Sequence, residues 1–294
     1  MTAKTDRIHA LPIWNGAIEI TPLHGGLSNE SFTVRDASGR FVVRFGADYP
    51  FHHVFREREL MTARAAAQAG FAPDVIFAEP GIMVSAFIDG QTFEEADVRA
   101  NIAEVGSLIA RFHRQTARFI TGPGFAFWPF HVIRDYAQTL KDGGSRMTPH
   151  LPRYLDLAER LEAAQIPLPI IFGHHDLLPA NFIHDGNRLW LIDFEYAGFG
   201  TAMFDLAGTA ANASFDDGQT EALLTAYLGA APSPQFRQSC AAMQCAALLR
   251  EAMWSMVSEL HLTTPGVDFI AYTAENLERL ERSLQTFTEA YGPL

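Results

Sequence analysis

The apolar residues of this chain change their spacing once, near Asp89-Gly90, and a chain that does so must build two unlike halves. Before that point the runs are short and punctuated by turns. Ile18-Glu19-Ile20 leads into LHGGLSNESFTV, then the turn Asp36-Ala37-Ser38-Gly39, then Arg40 to Phe45. Two strands joined by a Ser-Gly turn make a hairpin; Val75-Ile76-Phe77 and Ile82-Met83-Val84-Ser85, around Glu79-Pro80-Gly81, make a second. Phe51 to Gln68, charged at Arg56, Glu57, Arg58 and Glu59 and then rich in Ala, reads as one helix capped by Gly70. Beyond Asp89, the residues Val98, Ile102, Val105, Ile109 and Phe112 recur at steps of four and three, the mark of an amphipathic helix. Helical patterns continue through 153–164, 217–229, 235–261 and 268–290. One strand-like island interrupts them: Phe182-Ile183-His184, the turn Asp185-Gly186-Asn187, then Leu189 to Ile192. The expected molecule is α+β: a small β-rich lobe with one helix over 1–88, and a larger, mainly helical lobe over 89–294. A cleft between two lobes is a preferred place for a ligand.

Composition narrows the partners. With 48% hydrophobic and 19% charged residues the chain has ample material for a core, which excludes disorder. Asp and Glu outnumber Lys and Arg by 34 to 22, for a net charge of -12, so nucleic acid and anionic membrane are poor partners while a cationic small molecule is compatible. Cys240 and Cys245, five apart on a helix, point about 140° away from each other and read as two buried small residues rather than a disulfide or metal clip. The N-terminal MTAKTDRIHALPIW has no apolar signal region, and the longest apolar stretch, 240–249, is interrupted by Gln244 and stopped by Arg250 and Glu251. A soluble protein of a reducing compartment, the cytoplasm, is expected. No heptads or interface helix stand out to set an oligomeric state.

Chemistry concentrates in FGHHDLLPANFIHDGNRLWLIDFEY, residues 172–196. Asp176 precedes Asn181 by five residues and Asp193 by seventeen; Pro179 breaks helix continuity, and the Asp-Gly hairpin returns Asp193 toward Asn181. Two carboxylates and an amide oxygen so gathered are hard donors that suit Mg²⁺, with phosphate and water completing its shell. Three readings compete. Asp, Asn and Gly can be turn residues and caps; His174, His175, Asp176 and His184 could serve a metal hydrolase; or one Asp could orient an attacking hydroxyl while Asn and the second Asp hold the metal for phosphoryl transfer.

The segment GHHDLLPANFIHDGNRLWLIDFEYAGFGTAMFDLA resembles the catalytic and metal-binding segment of the aminoglycoside phosphotransferase/choline kinase superfamily, small-molecule relatives of protein kinases. The spelling DFEY and the later Phe204-Asp205-Leu206-Ala207 look most like choline/ethanolamine kinases. The resemblance implies a two-lobed protein-kinase-like fold that uses ATP and Mg²⁺. It makes Asp176 the base toward the acceptor hydroxyl, Asn181 and Asp193 the metal ligands, and Glu195 a partner of a second ion or of the substrate's cationic group. It sets His24 to Glu30 as the loop over the phosphates, with Ser28 and Asn29 in contact with nucleotide. Arg44 takes the phosphate-holding place on its strand and is oriented by Glu59 (Glu57 being the alternative); backbone groups at Ala86 and Ile88 face adenine. His174 buttresses the catalytic loop. Trp254 matches one tryptophan of an aromatic box that would hold a quaternary ammonium group, and Tyr272 a further aromatic of it. Glu251 stands where a second tryptophan aligns, and Asn212 where choline kinases tend to carry an acid. The short GFGTAMFD stretch after Asp193 lacks the segment a protein kinase needs to present a polypeptide, so the implied acceptor is a small, cationic alcohol.

Overall fold

The structure, a computed structural model, describes residues 3–23, 29–264 and 266–294. The first part carries a five-stranded antiparallel sheet of β1 (Glu19–Leu23), β2 (Glu30–Arg35), β3 (Arg40–Phe45), β4 (Val75–Glu79) and β5 (Ile82–Ala86), in the order β1-β2-β3-β5-β4. Alternation decides which way it faces: Phe32, Val34, Val43, Phe45, Ile82 and Val84 turn to one side and bury with Ile8 and Leu11 in a small core. Val43 is in register with Phe32 and Val84 inside that core. Arg44, one residue on, must therefore emerge from the opposite face. The hairpin between β2 and β3 is held by the Asp36 carboxylate, which accepts the N–H groups of Ser38 at 2.7 Å and Gly39 at 3.1 Å.

Two helices accompany this sheet. The short α1 (Ala3–Ala10) is one more than the sequence suggested; only Ile8 of its eight residues is buried, so it shows no periodicity. Helix α2 (Arg56–Gln68) starts later than expected because Pro50–His52 form a 3-10 turn and His53 takes a left-handed φ of 60°. Ala63 and Ala66 of α2 pack into the larger core of the second part, not into the core under the sheet. The helix thus ties the sheet to the rest of the molecule.

The second part is mainly helical: α3 (Glu95–Ala100), α4 (Ile102–Gln115), α5 (Pro129–Asp142), α6 (Leu151–Ala163), α7 (Ala202–Asn212), α8 (Asp217–Leu228), α9 (Pro234–His261) and α10 (Phe269–Tyr291). The single amphipathic run over 98–112 is divided at Asn101, whose side-chain amide caps the Asp97 carbonyl at 2.8 Å. The 28-residue α9 packs against α5, α6, α7 and α10, and it starts where Ser233 accepts the Phe236 N–H and Pro234 opens the first turn. Cys240 and Cys245 are both buried in it as free thiols. Helix α8 has a reciprocal capping box of Asp216 and Gln219 and ends on Gly229 at φ 72°.

Two small sheets lie between these helices: β6 (Gln91–Thr92) with β8 (Phe182–His184) and β9 (Leu189–Leu191), and β7 (Ile170–Gly173) with β10 (Gly198–Thr201). The β8–β9 hairpin is the island seen in the sequence. Helices α5 and α7 and the β7–β10 pair were not expected. The α7 sequence AMFDLAGTAAN is buried on nearly every side and so has no polar face to mark it. In β10, Gly198 and Gly200 let the backbone at Phe125 and Phe127 approach; a Cβ at Gly198 would lie 2.6 Å from the Phe125 carbonyl oxygen. No helix among the described residues is long and apolar enough to cross a membrane.

Candidate active site

The segment from β7 to β10 folds around one buried carboxylate. His175 takes a left-handed φ of 61°, and this bend turns the N–H groups of His174 and His175 onto the two oxygens of Asp205, at 2.8 and 2.6 Å. His113 of α4 donates its Nε2–H to the same carboxylate at 2.8 Å, and Tyr227 of α8 donates to His113 Nδ1 at 2.9 Å. These donors, with His175 and His174 close by, hold Asp205 well below the usual carboxylate range although it is fully buried. Asp205 thus pins the loop that presents Asp176. His174 donates from Nε2 to the Ile192 carbonyl at 2.9 Å, tying that loop to the strand that delivers Asp193. Burial keeps both imidazoles neutral, His175 down to about 4.

Asp176, Asn181 and Asp193 meet at the end of this hairpin. The Asn181 amide donates to the Asp176 carbonyl at 2.7 Å and lies 3.4 Å from its carboxylate, while Ile192 N–H reaches the Asn181 carbonyl at 3.1 Å. With its NH₂ so engaged, Asn181 keeps Oδ1 as a hard ligand oxygen. Asp193 has a left-handed φ of 65°, a strained conformation of the kind that gathers at functional sites. Burial first and the Asp193 carboxylate second raise Asp176 well above the usual range, against the pull of Arg250. Among the described residues no three His, Cys, Asp or Glu side chains gather to hold a metal. His174 and His175 are spent on the Ile192 and Gly198 carbonyls, and His184 faces Glu104 at 3.8 Å. An amide oxygen and one carboxylate do fit Mg²⁺, which dehydrates reluctantly and takes one or two carboxylates together with substrate phosphates.

From the sheet side, Arg44 reaches down into this point. Its Nη1 donates to Asp193 at 2.9 Å and its Nη2 to Glu59 of α2. Arg56, one turn before Glu59, donates to Glu59 at 2.7 Å and to Glu195 at 2.9 Å. The R-x-x-E spacing that points to Glu59 begins at Arg56, to which the sequence gives no role of its own. The structure sets Glu195 among these arginines and 3.4 Å from the Asn29 amide, where it stands beside Asp193 as a partner of a second ion would, and it does not line the pocket beyond Asp176. Two arginines and two buried glutamates form a compact ionic network across the lobes. Of the loop expected to cover the phosphates, His24 to Ser28 lie outside the described residues. The adenine contact expected at Ala86 meets a constraint: its N–H already donates to the Asp74 carbonyl at 2.9 Å. Ile88 follows on the connection, where Arg40 stacks on Phe87 and pairs with Asp89.

On the other side of Asp176 lies a small pocket of about 30 Å³, lined by Asp176, Leu177, Asn212, Leu248, Arg250 and Glu251 among others. Neither Trp254 nor Tyr272 lines it. Trp254 is 8% exposed, stacks on His52 at 5.0 Å and donates to the Tyr196 hydroxyl at 2.9 Å, so it is packing behind the pocket wall. Tyr272 donates its hydroxyl to Glu251 at 2.9 Å and acts on the pocket through that carboxylate. Arg250 is the residue the sequence reading missed. In the sequence it marks only the end of the apolar stretch 240–249, yet α9 runs through it with Leu249, Ala252 and Met253 all buried around it.

The profile of the phosphotransferase enzyme family matches residues 19–239. A probable ethanolamine kinase from Arabidopsis thaliana is 25% identical over 169 residues, which are 51% of this chain and 43% of that protein, so the chain covers less than two thirds of this curated relative. Among solved structures, a choline/ethanolamine kinase family protein from Mesorhizobium loti superposes with a TM-score of 0.77 at 26% identity, over 96% of this chain and 95% of the other. The choline kinase LicA from Streptococcus pneumoniae superposes with a TM-score of 0.76 at 20% identity, over 96% of this chain and 98% of its own. These superpositions make the fold protein-kinase-like, with a β-sheet lobe before a mostly helical one. With the motif order, the fold and the profile match in agreement, the chain belongs to the phosphotransferase enzyme family.

Proposed function

We propose that this chain transfers the γ-phosphoryl group of ATP to the hydroxyl of a small amino alcohol, as the names of its choline and ethanolamine kinase relatives suggest. Residues 1–88 would form the nucleotide lobe and 89–294 the acceptor lobe. One observation carries the reading: Asp176 stands between a phosphate-suited ionic network and a small pocket, 3.4 Å from Asn181. The acceptor O–H donates to the Asp176 carboxylate, which takes its proton as the oxygen attacks the γ-phosphorus. The new P–O bond forms while the bond to the β-phosphate oxygen breaks, and ADP leaves. Asn181 and Asp193 would hold Mg²⁺, which neutralises charge on the β- and γ-phosphates when bound. Arg44 supplies a forked donor toward phosphate while Glu59 keeps its direction. Asp205 fixes the loop beneath, and preorganised charge of this kind does most of the work in phosphoryl transfer.

The test is a panel of amino alcohols, aminoglycosides and sugars incubated with ATP and Mg²⁺, followed by ADP release and by phosphorus NMR of the product. A phosphate monoester formed one-for-one with ADP is expected. Phosphoester hydrolysis that needs no ATP would replace this reading with the hydrolase one. ATP binding with no turnover on any acceptor would make the chain a nucleotide-binding pseudoenzyme.

A further inference from the structure

Arg250 is the most unusual charge in the molecule. It is 3% exposed, sits mid-helix in α9 and lines the pocket beside Asp176. A guanidinium has five N–H donors, and burying them unpaired is costly. Nη1 donates to Glu251 at 3.0 Å, and the plane lies over the Tyr196 ring at 4.5 Å. Among the described residues, the two remaining nitrogens, Nε and Nη2, are buried with no acceptor in full hydrogen-bonding geometry, the Tyr136 hydroxyl being the neighbour that leans on the guanidinium. Those two share one edge of the guanidinium, the edge that receives a carboxylate side-on through two parallel hydrogen bonds.

The rest of the pocket wall agrees. Glu251 is occupied by Arg250 and by the Tyr272 hydroxyl, so most of its charge is already answered. Asn212 contributes an amide, held toward the Leu177 carbonyl at 3.5 Å, and no charge. Asp205, also on the wall, is consumed by His113 and the loop N–H groups. What the pocket offers a newcomer is therefore one carboxylate, Asp176, for a hydroxyl, and one guanidinium whose side-on edge meets no carboxylate of the described residues. A simple cationic alcohol uses only the first.

We propose that Arg250 is a specificity-determining residue that binds a carboxylate on the acceptor, so that the substrate class is a hydroxylated amino acid in place of a plain amino alcohol. This rests on the phosphotransferase reading above and narrows its acceptor. Phosphoryl transfer is as already written: the acceptor oxygen bonds to phosphorus, its proton passes to Asp176 and ADP departs. The carboxylate on Arg250 takes no part in bond making; it sets where the hydroxyl lies.

The experiment uses pairs that differ only by a carboxylate: serine against ethanolamine, and homoserine against 3-aminopropanol, each with ATP and Mg²⁺. The acid member of at least one pair is expected to have a kcat/KM at least tenfold higher. Arg250→Gln should bring that ratio near one, chiefly through a higher KM for the acid. If Arg250→Gln does not fold, Arg250→Lys decides, since it keeps the buried charge and lacks the side-on fork; it should lose most of the preference. A wild-type preference for the members without carboxylate overturns the assignment, as does a variant that keeps the full ratio or lowers both members equally. If no acceptor is phosphorylated, the kinase reading fails by itself. Calorimetry with serine and homoserine then decides Arg250: binding lost in Arg250→Gln upholds the carboxylate site, and no binding to the wild type removes it.

Discussion

Asp205→Asn is the sharpest perturbation of the machinery described here. The wild-type carboxylate accepts three short hydrogen bonds, from His174 N–H at 2.8 Å, His175 N–H at 2.6 Å and His113 Nε2 at 2.8 Å, with no solvent to replace any of them. An asparagine can place its one oxygen where Oδ2 serves His174 and His113. Its NH₂ then confronts the His175 N–H, donor against donor. The loss of one charge-assisted bond, about 1.5–3 kcal/mol, and the burial of an unpaired donor, about 1–3 kcal/mol, sum to about 2.5–6 kcal/mol. The strained His175 turn, at φ 61°, would relax with it and carry Asp176 away from its position. A displacement of about 1 Å in a reacting group can cost about 100-fold in rate. Urea denaturation should show the stability loss, and ATP-dependent turnover should fall by about that factor under conditions where the variant is fully folded. A loss under about 1 kcal/mol, or a folded variant with undiminished kcat, would refute the claim that this carboxylate holds the loop.

Two further outcomes follow from buried groups. Burial depresses His52 from 6.5 to about 2, so the unfolded chain binds a proton that the folded chain refuses. Its stabilising contribution is complete above about pH 6.5 and is lost as pH falls, amounting to about 3 kcal/mol by pH 4; in His52→Gln the slope of stability against pH over that window should flatten by one proton, and an unchanged slope would contradict the assignment. Gly106 of α4 packs on α8, where a Cβ would meet the Ala226 Cβ at 2.7 Å and the Leu223 carbonyl oxygen at 3.1 Å. Gly106→Ala gains about 1 kcal/mol in helix propensity yet should lose about 1 kcal/mol net by forcing the helices apart, and a more stable variant by thermal melting would show that packing there is loose.

Much of this site could be read from one window of sequence because its geometry is local. Asp176, Asn181 and Asp193 lie within eighteen residues, and a hairpin with a recognisable Asp-Gly turn is enough to bring them together. The strands of the first sheet were legible for a similar reason, since the period-2 alternation of Phe32, Val34, Val43 and Phe45 reports a single buried face. What was missed is long-range. Asp205 reaches back to His174, and Arg250 comes to Asp176 from a helix seventy-four residues downstream. No spacing rule predicts such meetings. Arg250 did leave a trace, a charge inside a helix buried all round, which is where an uncompensated cation calls for an explanation. Trp254 shows the converse: an aromatic that matched a binding motif is spent on packing against His52 and Tyr196.

The central claim is that Asp176 accepts the proton of a hydroxyl attacking ATP. Asp176→Asn tests it most directly, because the amide keeps the shape and loses the base. Nucleotide affinity and turnover should be measured on the same preparation. The account predicts ATP affinity within about threefold of the wild type and ester formation lowered by about 100-fold or more. Ester formation that survives the substitution within a factor of a few, with nucleotide binding intact, would contradict it.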